Sequence, residues 1–82
     1  LQRADLAHAN LTSASLSGAN LAIANLEGAN LESARLVNAN LLFAKLTNAT
    51  LSQADLTSTI LRFANLQGAD FKDAILLKTD LC

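Results

Sequence analysis

The sequence predicts an all-β solenoid, and three features of its 82 residues point that way. Every fifth position from Leu1 to Leu81 is leucine, apart from Phe71. The residue two places before each of them is alanine, apart from Thr59 and Thr79. The unit runs unbroken to both ends, and self-similarity at a fixed period marks a stacked architecture in which each unit buries its face only against its neighbours.

A period of five excludes the simpler alternatives. On an α-helix, five residues advance about 500°, so successive leucines fall about 140° apart and no amphipathic face results. On one straight strand, an odd period sends Leu1, Leu6 and Leu11 to alternate sides, and eighty residues lie far beyond ordinary strand lengths. The chain must therefore turn a corner in every repeat to bring each leucine back inside.

The outward residues say how many sides the coil has. Wound at twenty residues per turn, His8, Gly28, Asn48 and Gly68 share one corner, and Gly and Asn tolerate the positive φ that many tight turns need. Ile23, Phe43 and Phe63 share a second column, and Thr59 and Thr79 share a third. Winding at fifteen scatters all three groups. A square coil follows, with leucines filling it and alanines placed where adjacent walls leave room for little more than a methyl group. Asn or Asp precedes the central leucine at ten of sixteen places, including Asn20, Asn25, Asn30, Asp55 and Asp70. These side chains can bond nearby backbone at corners, and a residue recurring on every side reads as structural.

The unit Ala-Asp/Asn-Leu followed by two variable residues, as in Ala4-Asp5-Leu6-Ala7-His8 or Ala29-Asn30-Leu31-Glu32-Ser33, resembles the pentapeptide-repeat proteins over essentially the whole chain. That resemblance implies a right-handed quadrilateral β-helix with four repeats per coil, hence about four coils here. It also implies small scaffolds of unknown purpose, many of them cyanobacterial or in thylakoid lumens, so a bacterial cytoplasm or a lumen-type compartment is expected. The best understood branch of the family comprises dimeric inhibitors or protectors of DNA gyrase, similar to a DNA duplex in size and negative charge. From it comes a second reading, a DNA-mimicking modulator of a type II topoisomerase. This chain departs from that branch in length, in its Leu rather than Phe dominance, and in having seven acids against six bases. Glu27, Glu32 and Asp55 fall in different columns.

Composition bounds the rest. A single register with no Pro and no linker-like stretch predicts one domain over residues 1–82. The chain starts inside a repeat at Leu1 and stops inside another at Cys82, which reads as a fragment of a longer chain or a mature form cut from one. A net charge of −1 offers no long-range steering towards nucleic acid or an anionic membrane. Arg3, Arg35, Lys45, Arg62, Lys72 and Lys78 form no stripe and have no Tyr or Trp beside them as a stacking platform. No window approaches the roughly twenty apolar residues of a membrane span. Cys82 is expected to be a free thiol, an intermolecular bridge being the alternative.

Catalysis needs convergent groups, and the chain has one histidine, one cysteine and no nucleophile, phosphate or dinucleotide motif. His8 reads as an exposed corner residue followed down its column only by Gly28, Asn48 and Gly68, so no metal or other cofactor is expected. Gly18, Gly28 and Gly68 lie too far apart for a phosphate loop. Asp70, Asp73 and Asp80 point at different corners or columns and read as solvated charges. No enzyme is expected.

Two apolar features stand out. Ile23, Phe43 and Phe63, flanked by Ala22 and Leu42, are not needed by the core. They read either as a docking strip for a partner protein, centred on Ile23, Leu42, Phe43 and Phe63, or as a stack that packs on a missing segment or adds cross-strand stability. Near the C terminus, Ile60, Ile75 and Leu77 occupy positions that are polar in most other repeats. Together with the unpaired edges of an open coil, they suggest an end contact with a capping helix, another coil or a second copy. The expected function is a non-catalytic structural scaffold or protein–protein interaction module.

Overall fold

A computed structural model describes residues 1–81, and the expectation for Cys82 lies outside the described residues. The chain winds as a quadrilateral stack of 26 × 22 × 20 Å. The residue before each inward leucine pairs in parallel with the one twenty places later, from Asp5↔Asn25 through to Ile60↔Asp80. Coil 1 spans residues 1–20, coil 2 21–40, coil 3 41–60 and coil 4 61–80. In coil 1 the walls are residues 4–6, 9–11, 14–16 and 19–21, and the corners are 2–3, 7–8, 12–13 and 17–18. The same positions recur every twenty residues.

Each corner is a four-residue turn closed by the alanine amide on the leucine carbonyl, as in Ala24 N to Leu21 O at 3.1 Å. Only the third residue of each turn has positive φ, between 56° and 63° at the non-glycine corners, which makes these type II turns. Every corner has this left-handed residue, not only the one shared by His8, Gly28, Asn48 and Gly68. Two of the glycines have a further reason. A Cβ on Gly28 would collide with the His8 ring, and one on Gly68 with the Asn48 side chain, so in this column each glycine makes room for the residue one coil below.

The five backbone amides of a repeat are accounted for almost completely. Leucine and third-turn-residue amides donate to the coil above, as in Leu26 N to Lys45 O at 2.7 Å and Ile23 N to Leu42 O at 2.8 Å. The residue before leucine donates to the coil below, as in Asn25 N to Ala4 O at 2.9 Å, and the alanine amide closes the turn. The fifth amide, on the residue after leucine, is left for a side chain. Asn and Asp Oδ1 accept it at 2.9–3.2 Å from Asp5, Asn10, Asn20, Asn25, Asn30, Asn40, Asp55, Asn65 and Asp70. This is why Asn and Asp recur before the leucine: an unpaired amide carries a desolvation cost, and these two residues offer an oxygen at the right reach.

Asp55 carries this furthest. Its carboxylate accepts the Thr57 hydroxyl at 2.6 Å and the Thr57 amide at 3.1 Å. The hydroxyl first, then the amide, hold its pKa below the ordinary aspartate range; Arg35 adds a smaller pull and partial desolvation opposes them. A folded-state pKa below the unfolded one means that ionised Asp55 stabilises the fold above the ordinary carboxylate pKa. That contribution is lost as pH falls through the lowered value. Asp55→Asn is therefore expected to give a shallower loss of melting temperature with acidification below about pH 4. Equal acid slopes for variant and parent would contradict this.

Leu21, Leu26, Leu31, Leu36, Leu41, Leu46, Leu51 and Leu56 are fully buried, interleaved with buried alanines. The two threonines in the alanine column replace a methyl with a hydroxyl that finds an acceptor. Thr59 Oγ1 donates to Leu36 O at 2.6 Å, and Thr79 Oγ1 donates to Leu56 O at 2.7 Å. Inward residues of the first coil, and of the last coil beyond Leu61, are less fully covered, and Leu66, Phe71, Leu76 and Leu81 line an apolar hollow of about 170 Å³ at the C-terminal end.

Candidate functional site: an aromatic corner

The corner at residues 2–3 and its equivalents carries the column Arg3, Ile23, Phe43, Phe63. Its register is set by backbone: Arg3 N bonds Ala22 O at 2.9 Å, Ile23 N bonds Leu42 O at 2.8 Å, and Phe43 N bonds Arg62 O at 3.0 Å. Rings one coil apart must then lie one interstrand spacing apart. Phe43 and Phe63 stack with centroids 5.0 Å apart and planes 16° from parallel. The Arg62 guanidinium lies 5.7 Å from the Phe63 centroid, and its Nε is 3.9 Å from Asp80 Oδ2.

The structure thus brings Ile23, Phe43 and Phe63 into one outward column, exposed by 41%, 56% and 65%. Leu42 beside them is half-buried and Ala22 is buried. Two members of this corner were not singled out in the sequence: Arg3 at its base and Arg62 against the upper ring. Period-twenty alignment places both beside the strip, but a column of apolar residues gives no cue to look for cations next to it.

The second predicted group is arranged differently. Ile75 projects from the 74–76 wall, Leu77 stands on the next corner, and Ile60 projects from the 59–61 wall in the coil below; all three are exposed. They wrap around a corner instead of forming one face. The end of the stack itself is lined by inward residues, Leu66, Phe71, Leu76 and Leu81. In sequence these are ordinary core positions, and nothing there marks them as an end surface.

Charge is spread evenly. The seven acids fall in seven different columns, so no acidic stripe runs along the stack. Lys45 pairs with Glu27 at 3.4 Å across one coil step, and Arg62 and Asp80 repeat that eighteen-residue diagonal. Both pairs are solvent-exposed and add little stability. His8 is an exposed corner residue under Gly28, and Asp70, Asp73 and Asp80 lie in separate columns. Among the described residues no group of three or more His, Cys, Asp or Glu is placed to hold a metal ion. No helix among them is long and apolar enough to cross a membrane.

The family model described as pentapeptide repeats matches in eight copies, over residues 1–36, 24–62 and 51–82. The chain belongs to the pentapeptide-repeat family. Its coil is accordingly the right-handed quadrilateral β-helix of that family. Among solved structures, this pentapeptide-repeat chain is similar to one from Nostoc PCC 7120, with 44% identity and a TM-score of 0.59 over 85% of this chain and 62% of that one. A pentapeptide repeat protein from the cyanobacterium Cyanothece 51142 is 33% identical with a TM-score of 0.60, over 95% and 57% of the two chains. One from the Arabidopsis thaliana thylakoid lumen is 27% identical with a TM-score of 0.50, over 89% and 54%. The chain therefore spans roughly 54–62% of the length of these neighbours. No curated protein matches it.

Proposed function

We propose that this pentapeptide-repeat domain is a rigid, non-catalytic scaffold that binds a partner protein through the aromatic corner of Ile23, Leu42, Phe43 and Phe63. The observation that carries this reading is the backbone beneath the side chains. Left-handed backbone costs an L-residue about 1–2 kcal/mol and is least suited to β-branched and bulky residues. Ile23 stands at φ 63°, and Phe43 and Phe63 at 59°. Every other corner is Gly, Asn, Ser, His, Gln, Asp, Lys or Arg. Ring stacking returns about 0.5–1.5 kcal/mol to the phenylalanines, but Ile23 has no such ring–ring contact. Strain retained at an exposed site is a reason to look for function there.

Duplex mimicry has no comparable support, because a mimic needs acidic residues aligned in stripes and the seven acids lie in seven columns. The family contains lumenal as well as cyanobacterial members, and either setting suits a scaffold of this kind.

The test is affinity capture from the native host with the parent, Phe43→Ser/Phe63→Ser, and Ile23→Asn. Both variants are expected to keep the fold, and Ile23→Asn is expected to melt no lower than the parent, because Asn accepts left-handed backbone. The phenylalanine double variant is expected to lose its partner by at least tenfold, since buried aromatic anchors dominate interface energy. A partner held equally by parent and folded double variant would remove the corner from consideration. A large drop in melting temperature with Ile23→Asn would show that the column serves the fold instead.

A further inference from the structure

We propose that the corner at residues 17–18 and 37–38 binds a carboxylate from an acidic protein segment, held by the Ser17 and Val37 amides beside the Arg35 side chain. The inference rests on the fifth amide of each repeat and is independent of the aromatic corner. In nine repeats an Asn or Asp oxygen of the same repeat accepts that amide. Ser15 and Arg35 stand where Asn or Asp would serve Ser17 N and Val37 N, and neither amide has an acceptor among the described residues. The amides of Thr47 and Ser52, behind Lys45 and Thr50, are open too. Each of those stands alone, because the amides one coil below and above it are taken: Glu27 and Gln67 around Thr47, Glu32 and Lys72 around Ser52. Ser17 and Val37 are the adjoining pair.

Their spacing is set by backbone. Ser15 pairs in parallel with Arg35, and Gly18 N bonds Val37 O at 2.8 Å. The two amides are therefore one strand spacing apart, about 4.8 Å. A single carboxylate spans that interval with one oxygen to each N–H, and each oxygen repeats the bond that Asn and Asp make at the other corners. A carboxylate is also the group these turns already accept, from Asp5, Asp55 and Asp70.

The surroundings suit an anion. Arg35 is exposed and forms no salt bridge among the described residues. Asp55, one coil above, feels its charge but has its Oδ1 committed to the Thr57 amide and hydroxyl. At Thr47 the corresponding cation is engaged, since Lys45 pairs with Glu27 at 3.4 Å. Ser15, Ser17 and Gly18 are exposed, and the place a Gly18 side chain would take is open, with nothing within 4 Å. In no described repeat does the fifth amide bond a neighbouring coil, so stacking further coils on either side does not use it up.

The test is a nitrogen–proton NMR titration of the 82-residue chain, at constant ionic strength, with an acetylated and amidated Gly-Asp-Gly peptide. The Gly-Asn-Gly peptide is the neutral control, and inorganic phosphate is the rival oxyanion. The Ser17 and Val37 amides are expected to shift together and saturably, with a midpoint on the order of 10 mM, as two charge-assisted hydrogen bonds and one exposed cation give. Ser15→Asn and Arg35→Asn supply the missing oxygen from within the chain. Each is expected to melt higher than the parent and to weaken peptide binding by about fivefold or more. Arg35→Ala removes the cation without supplying an oxygen, and is expected to weaken binding about two- to fivefold. The proposal is overturned by the absence of a saturable shift at Ser17 and Val37, by shifts of equal size at Thr47 and Ser52, or by an equal response to the Asn peptide. Unchanged binding in Ser15→Asn overturns the part given to the Ser17 amide. Phosphate binding tenfold tighter than the Asp peptide overturns the choice of a carboxylate.

Discussion

Leu41→Asp is expected to abolish cooperative folding of the domain. Leu41 opens coil 3 and is fully buried between the leucines and alanines of coils 2 and 4. Removing its side chain alone, as in Leu41→Ala, is worth about 2–5 kcal/mol by comparison with buried leucines elsewhere. The aspartate adds a carboxyl with nothing to bond among the aliphatic side chains around it, which costs several kcal/mol more even when it takes up a proton. Domains of this size hold only about 5–15 kcal/mol in total, so the sum reaches or exceeds the whole stability. The position matters as much as the chemistry, because a solenoid is coupled through nearest neighbours and a break in the middle separates both halves from their support. Leu1→Asp, at an exposed position of the same type, is expected to move the melting temperature little. The check is a thermal melt followed by far-UV circular dichroism. A Leu41→Asp variant that kept a cooperative transition near the parent temperature would show that the leucines do not form a continuous dry core.

Much of this is legible in the sequence, because the informative signal is periodic. An odd period of five forces one corner per repeat, and the alignment of Ile23, Phe43 and Phe63 at intervals of twenty forces four corners per coil. The parallel pairing of Asp5 with Asn25 and of Ile60 with Asp80 follows from that register. What was not legible depends on where side chains and backbone go within a repeat. The sequence marks Gly28 and Gly68 as corner residues, but their second role, giving space to His8 and Asn48, depends on side chains leaning along the stack. Ile60 lies close in sequence to the last coil, yet it belongs to a different wall from Ile75, because fifteen residues carry the chain three walls onward. Left-handed backbone at Phe43 and Phe63 runs against residue preference, so it could not be read from residue type; only the closed turn around each corner imposes it. The candidate site is visible in the sequence as a column, while its strain and the placing of Arg62 over Phe63 are visible only in the structure.

Ala39 offers the sharpest test of how the alanine columns set the cross-section. It is fully buried and lies in the column of Ala19, Thr59 and Thr79. In an ordinary core, valine would be a better replacement than threonine, since the two have nearly the same shape and threonine buries a hydroxyl. Here the order is expected to reverse. Thr59 and Thr79 each donate to the leucine carbonyl twenty-three residues earlier, and a threonine at position 39 would reach Leu16 O in the same way. Ala39→Thr is therefore expected to lie within about 1 kcal/mol of the parent. Ala39→Val fills the same volume without that bond and should be less stable than Ala39→Thr by about 0.5–1.5 kcal/mol. Ala39→Leu must push aside either the inward leucines or the turn that the Ala39 amide closes on Leu36 O, at a cost of about 1–3 kcal/mol or more. Chemical denaturation of the three variants gives the ranking. Valine above threonine would mean that the hydroxyl bonds of Thr59 and Thr79 do not stabilise the coil, and a tolerated leucine would mean that the alanines are not what fixes its width.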